Sequence, residues 1–156
     1  MVPKIADVIL TFKKPGEKNQ ALLIHQLTTL GVVGRDILIQ VWNDSMAIEA
    51  KRWAISGLGN FNDLRTRKIL KTSLLDNAMS IRLHGIRAIN KIGDKRLGIG
   101  LLPLINDASG GIRINALDVI VGLRVSGWKK AVNKCLADPK MYVRKRAQFY
   151  STSYAV

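Results

Sequence analysis

Apolar residues recur along most of this chain at intervals of 3, 4 and 7, as in the stripe Ile112, Ala116, Ile120 and Leu123. That spacing gathers side chains on one face of a helix and is incompatible with the strict alternation of a half-buried strand. Between the stripes lie short segments of turn and cap residues: Asp76-Asn77-Ala78, Asp107-Ala108-Ser109-Gly110-Gly111 and Asp138-Pro139. Asn62-Asp63 and Gly93-Asp94 punctuate the chain in the same way. Asp is a strong helix N-cap and Pro suits the first helical turn, so each segment is read as ending one helix and capping the next. The pattern predicts, for example, a first helix over about 63–75 and a second over about 78–92.

The stripes themselves repeat. Lys51, Arg82, Arg113 and Arg144 are spaced by 31 residues, and so are Ala54, Gly85, Ala116 and Ala147. Ala50, Ile81, Ile112 and Val143 precede the basic column. Leu58, Ile89 and Ile120 follow it, with Ser151 breaking that column. Upstream run Ile39, Leu70, Leu101 and Val132, and then Leu74, Ile105 and Leu136, which Asn43 interrupts. A fixed period of this size marks one supersecondary unit, here a pair of helices, copied along the chain and stacked on its neighbours. Extended backwards, the register puts Val8 in the place of Ile39 and Leu23 and Leu27 in those of Ala54 and Leu58. Lys14-Pro15-Gly16 then becomes a turn before a helix over 17–30. Five units, 1–31, 32–62, 63–93, 94–124 and 125–156, fill the chain as a single repeat domain.

The pattern Asp-x-x-x-x-(Ile/Val)-Arg-x-x-(Ala/Gly)-x-x-(Ala/Val/Tyr), at 76–88, 107–119 and 138–150, resembles the HEAT-like repeats of phycobilisome lyase subunits. The resemblance implies an all-α, right-handed α-solenoid of about five 31-residue helical hairpins. First helices would form its convex side and second helices its concave side. It also implies that the acid sits in the turn inside each hairpin, and that the Arg opens the second helix and bonds across to neighbouring turns. Pro103 falls where such repeats often carry a kinking proline. Lys51, Asp76, Arg82, Asp107, Arg113, Asp138 and Arg144 are read as a structural ladder. An acid stands six residues before each Arg, and charge-assisted hydrogen bonds would hold successive turns in register. The resemblance implies no reaction.

Composition suits this architecture, with 47% hydrophobic residues of which few are aromatic, so the filling is aliphatic and fit for close helix packing. Cys135 is the only cysteine, which rules out an internal disulfide and fits a reducing, intracellular compartment. Cys135 itself is read as a buried thiol within a helical stripe. No apolar run approaches the roughly 18 residues of a membrane span. The opening residues lack the apolar block and small-residue cleavage site of a secretory signal, and the period assigns them to a first helix.

Charge points to a partner. The net charge is +14, and the excess is concentrated: residues 63–93 hold seven bases and two acids, and residues 125–156 seven bases and one acid. On first helices, Arg65, Lys68 and Lys71, with Arg67 at the margin, form a basic outer face, repeated by Lys129, Lys130 and Lys134. On second helices lie Arg87 and Lys91, then Arg144, Lys145 and Arg146. One column there reads Trp53, His84, Asn115, Arg146. Lys and Arg supply most sequence-independent affinity for nucleic acid, and aromatic rings stack on bases. The expectation is a non-catalytic basic module that contacts the backbone of RNA or DNA, or a ribonucleoprotein such as a ribosome, with Trp53 and His84 exposed for stacking. The alternative is a protein-interaction scaffold for an acidic partner. It would work through Leu83, Ile114 and Val121, or through the C-terminal repeat with Phe149, Tyr150 and Tyr154.

Candidate chemistry is thin. His25 and His84 have no Cys, Asp or Glu at metal-ligand spacing, so no metal residues are assigned. Gly57-Leu58-Gly59 and Gly98-Ile99-Gly100 follow no strand and complete no phosphate-binding pattern, and tight helix packing accounts for them. No catalytic or cofactor-binding residues are assigned. Two catalytic readings arise only through the resemblance. HEAT-like alkylpurine DNA glycosylases would draw on Trp53 and Asp118, and bilin lyases on a tetrapyrrole pocket that no residue pattern identifies.

Overall fold

The computed structural model describes residues 2–14 and 17–155, with Glu17 described by its backbone alone. Every regular element among the described residues is a helix. They pair as the period requires: α1 (Ile5–Lys13) with α2 (Glu17–Thr29), α3 (Val32–Asp44) with α4 (Ile48–Leu58), and α5 (Leu64–Ser73) with α6 (Met79–Ile92). Then come α7 (Lys95–Gly98), prolonged by a 3₁₀ segment over Ile99–Asn106, with α8 (Gly110–Gly122), and α9 (Trp128–Cys135) with α10 (Met141–Tyr154). The helices predicted over 63–75 and 78–92 are α5 and α6. Of the turn expected at Lys14-Pro15-Gly16, the last two residues lie outside the described ones.

The chain divides into two compact units at Ile92/Gly93, a boundary between copies. In the first, α4 packs against α1, α2, α3 and α6 around Phe12, Leu27, Leu38, Ile55 and Leu58, all at most 1% exposed. In the second, α8 packs against the 3₁₀ segment, α9 and α10 around Leu101, Leu117, Ile120, Val125 and Val132, all fully buried. Most apolar positions of the repeating columns are core, but Ile105 and Leu136, in the column of Leu74, are only half-buried. Ala50, Ile81, Ile112 and Val143 are buried, as are Ala54, Ala116 and Ala147. The small column is small because the two helices of a hairpin touch there: a Cβ on Gly85 would strike the Ser73 hydroxyl and come within 3.1 Å of Leu74.

Two details depart from the sequence reading. Asp63 and Asp94 are true N-caps, accepting the backbone N–H groups of Arg65 and Thr66, and of Arg96 and Leu97. Asp76, Asp107 and Asp138 are not. Each accepts the N–H two residues on, from Ala78, Ser109 and Lys140, all at 2.8 Å. These are Asx turns that bend the hairpin just ahead of α6, α8 and α10, and Ser109 and Lys140 take the cap positions without a side-chain bond. The first helix of the fourth hairpin is also not a continuous α-helix. Pro103 has no N–H to give, and its ring crowds the carbonyl four residues back, so the chain tightens to 3₁₀ geometry after one α turn.

Candidate functional site

The basic column makes its bonds chiefly to backbone. Arg82 Nη1 donates to the carbonyls of Asp76 (2.9 Å) and Asn77 (3.0 Å), and Arg113 Nη1 to those of Asp107 (2.8 Å) and Ala108 (3.2 Å). Arg144 Nη1 reaches Asp138 (2.6 Å) and Pro139 (3.1 Å). Each Arg therefore meets the acid six residues earlier through its main-chain oxygen, because the carboxylate is already turned to its own Asx turn. The carboxylate partner of Arg113 comes from the next hairpin: Nε and Nη2 donate to Asp138 Oδ2 (2.6 Å) and Oδ1 (2.7 Å). Both side chains are under 10% exposed. The Arg113 hydrogen bonds hold the Asp138 carboxyl below the usual range, and the same contact pushes the Arg113 pKa up. All three guanidinium nitrogens are engaged within the protein. Lys51, at the equivalent place, instead sets its ammonium over the Trp42 ring, 5.2 Å from the centroid.

Trp53 and His84 are half-buried, not exposed. Phe12 of α1 stacks on Trp53 at 6.4 Å, and His84 meets the same ring edge-on at 6.4 Å. His84 Nδ1 lies 2.6 Å from the Ser56 hydroxyl, joining α6 to α4. Burial first, then the charges of Arg52 and Arg87, push the His84 imidazole down to about 4, so it is uncharged at neutral pH. Arg146, at the end of this column, lies 3.5 Å from Asp118, which also accepts the Tyr150 hydroxyl at 2.9 Å. Burial and that bond push the Tyr150 hydroxyl up to about 12. Trp53 and Asp118 belong to separate units, and each already has partners.

On the first helices, Arg65 bonds Asp36 (3.0 Å) and Arg67 bonds Asn62 (2.8 Å). Lys68, Lys71, Lys129, Lys130 and Lys134 are exposed, as are Arg87, Lys91, Arg144 and Lys145 on second helices. Of the apolar candidates, Val121 is core, whereas Leu83 and Ile114 are partly open. At the chain end, Trp128 and Tyr154 hold the Arg124 guanidinium between them, at 4.6 and 3.9 Å from the ring centroids. Cys135 is buried, and burial raises its thiol pKa, which disfavours the reactive thiolate. No group of three potential metal ligands occurs among the described residues.

One surface gathers several of these residues. Ile114 of α8 and Tyr142, Lys145, Arg146 and Phe149 of α10 line an open groove of about 460 Å³. Tyr142 and Phe149 are 48% and 60% exposed, which is unusual for large rings lying two helical turns apart on one face. Gly110 lets the phenol lie across the start of α8, since a Cβ there would strike the Tyr142 hydroxyl. Sequence reasoning named Ile114, Lys145, Arg146 and Phe149 under two separate hypotheses and missed Tyr142. The signal was present in the 142, 145/146, 149 spacing.

No family model matches the sequence, and no curated protein does. Solved structures do. The complex of CpcE and CpcF of phycocyanin lyase from Nostoc sp. PCC7120 contains a chain 22% identical to this one. The match covers 93% of this chain and 96% of that one, with a TM-score of 0.75. The fold is a HEAT-like helical repeat. An engineered protein matches as well (14% identity, covering 92% of this chain and 76% of that one, TM-score 0.56). So does a designed armadillo repeat protein (17%, 92% and 79%, TM-score 0.53). In HEAT-like terms, the Arg113–Asp138 pair is a bond between successive turns, and the α8–α10 groove lies on neighbouring second helices. The groove can bury an apolar side chain between Tyr142 and Phe149 while Lys145 and Arg146 neutralise acids beside it. No helix among the described residues is long and apolar enough to cross a membrane.

Proposed function

We propose that the chain is a non-catalytic HEAT-like scaffold that docks an acidic, amphipathic segment of a partner protein in the α8–α10 groove. The observation that carries this reading is the pairing of two exposed rings, two turns apart, with Lys145 and Arg146 between them. Helix-in-groove recognition uses apolar anchors at such intervals, and charge at the rim selects the partner and speeds encounter. The similar lyase chain was itself solved in a two-protein complex. A catalytic role like that of the lyase has less behind it, because His84, Asp118 and Cys135 are each half-buried, paired or buried.

A second reading, contact with nucleic-acid backbone, is favoured by the +14 charge and the exposed lysines of α5 and α9. It has lost its stacking platform, since Phe12 covers Trp53 and His84 is tucked against α4. The two readings separate in one titration. A fluorescent acidic amphipathic peptide and a mixed-sequence oligonucleotide are each added to the wild type and to the Tyr142→Ala/Phe149→Ala double variant at two salt concentrations. The scaffold reading expects the peptide to bind and to lose about tenfold or more in the variant. Tighter binding of the oligonucleotide, with a steep salt slope and no effect of the substitutions, would establish the second reading instead.

A further inference from the structure

In the second unit, Asp118 of α8 and Arg146 of α10 form an ion pair between consecutive second helices. Two periods earlier, the same register positions are Ser56 of α4 and His84 of α6, which form a hydrogen bond. The neutral pair keeps the geometry and drops the acid. Two arginines stand around it: Arg52, one turn before Ser56 on α4, and Arg87, one turn after His84 on α6. Both guanidinium charges act on the His84 ring, and both have the same sign.

Neither arginine has an ion pair among the described residues, and the Nε–H of Arg52 is buried with no acceptor. A buried charged donor left unsatisfied is costly, and it is the kind of group that a bound anion completes. Ser56 Oγ also lies 3.0 Å from the Arg52 carbonyl. With its one proton given to that carbonyl, the hydroxyl accepts from Nδ1 of His84 and leaves the other ring nitrogen unprotonated. Among the described residues, the charged groups acting on His84 are Arg52 from α4 and Arg87 from its own helix, and from α1 the Phe12 ring stacks on Trp53.

We infer that a small oxoanion, a carboxylate or a phosphate group, binds beside the Ser56–His84 pair between Arg52 and Arg87, in the place that Asp118 fills in the second unit. Guanidinium groups bind both anions through paired N–H donors. The site is independent of the α8–α10 groove and shares no residue with it. Sequence reasoning counted Arg87 among the basic residues but missed Arg52, because the 31-residue period puts Leu83, Ile114 and Lys145 in its column.

The test is an NMR titration of the histidine ring signals with inorganic phosphate and, separately, acetate, at constant ionic strength in chloride. The expected result is a saturable shift of His84 with His25 of α2 unmoved, and the anion that saturates first identifies the class. Arg87→Gln, an exposed change that leaves the core intact, weakens binding about tenfold or more, and Arg52→Gln does the same where the variant stays folded. A linear, unsaturable drift of both histidines with both anions overturns the inference. So does an Arg87→Gln protein that binds as the wild type does.

Discussion

At matching places, the two units of this chain solve the same packing problem with opposite chemistry. Ser56 and His84 join second helices through a neutral hydrogen bond, where Asp118 and Arg146 use charge. Lys51 leans on Trp42, where Arg113 enters a buried, two-pronged bond with Asp138. The repeat thus conserves position and leaves polarity free. To its aliphatic core the first unit adds the ring contacts of Phe12, Trp53 and His84, and the second adds a buried ionic bond between turns.

The largest effect should come from breaking that ionic bond. Arg113→Ala leaves Asp138 buried without its counter-charge and is expected to cost about 3–5 kcal/mol, which at this size lowers the melting temperature by about 10 °C. Arg144→Ala, which removes only bonds from an exposed side chain to carbonyls, should cost about 1 kcal/mol. Calorimetry of the two variants side by side breaks the comparison if their losses are equal.

Next in size is Trp53→Ala, which removes the ring between Phe12 and His84. The expected loss is about 2 kcal/mol, below the range for a fully buried ring because Trp53 is half-buried. Chemical denaturation followed through Trp128 should report the second unit as little changed. Lys51→Ala loses one cation–π contact and should cost about 0.5 kcal/mol.

Acid should separate the units. The unfolded chain protonates His84 near its ordinary value of about 6.5, while the folded ring resists until about 4. The first unit therefore loses stability as pH falls across that window and no further below it. Asp138 has its folded value lowered by Arg113, so its contribution is complete above about 3.9 and disappears only as pH falls further, through the folded value. Trp42 and Trp128 fluorescence, in variants keeping one of the two and lacking Trp53, should report an earlier acid loss for the first unit. A His84→Gln variant should abolish the earlier phase. Simultaneous loss in the parent protein would contradict the assignment.

Much of this fold was legible from residue order alone. Most apolar positions of the 31-residue columns became core, and Asp63 and Asp94 started helices where their chemistry predicts. What escaped was whatever the copies do not share. Asp76, Asp107 and Asp138 look like caps in sequence, but a carboxylate three residues ahead of a helix satisfies the turn instead. Phe12 covers Trp53 from the first hairpin, whose match to the repeat is the weakest, so no register argument could place it there. Tyr142 shares its column with Glu49, Ser80 and Gly111, and Arg52 with Leu83, Ile114 and Lys145, so neither residue recurs, and a period highlights recurrence, not exception.

The docking surface rests on one such exception, Phe149, in the column of Ser56, Arg87 and Asp118. Its direct test is Phe149→Ala, measured by peptide titration and by melting on the same sample. The account predicts an affinity for the acidic amphipathic peptide reduced about tenfold, with the melting temperature unchanged because the ring is exposed. Undiminished affinity at full stability would contradict it.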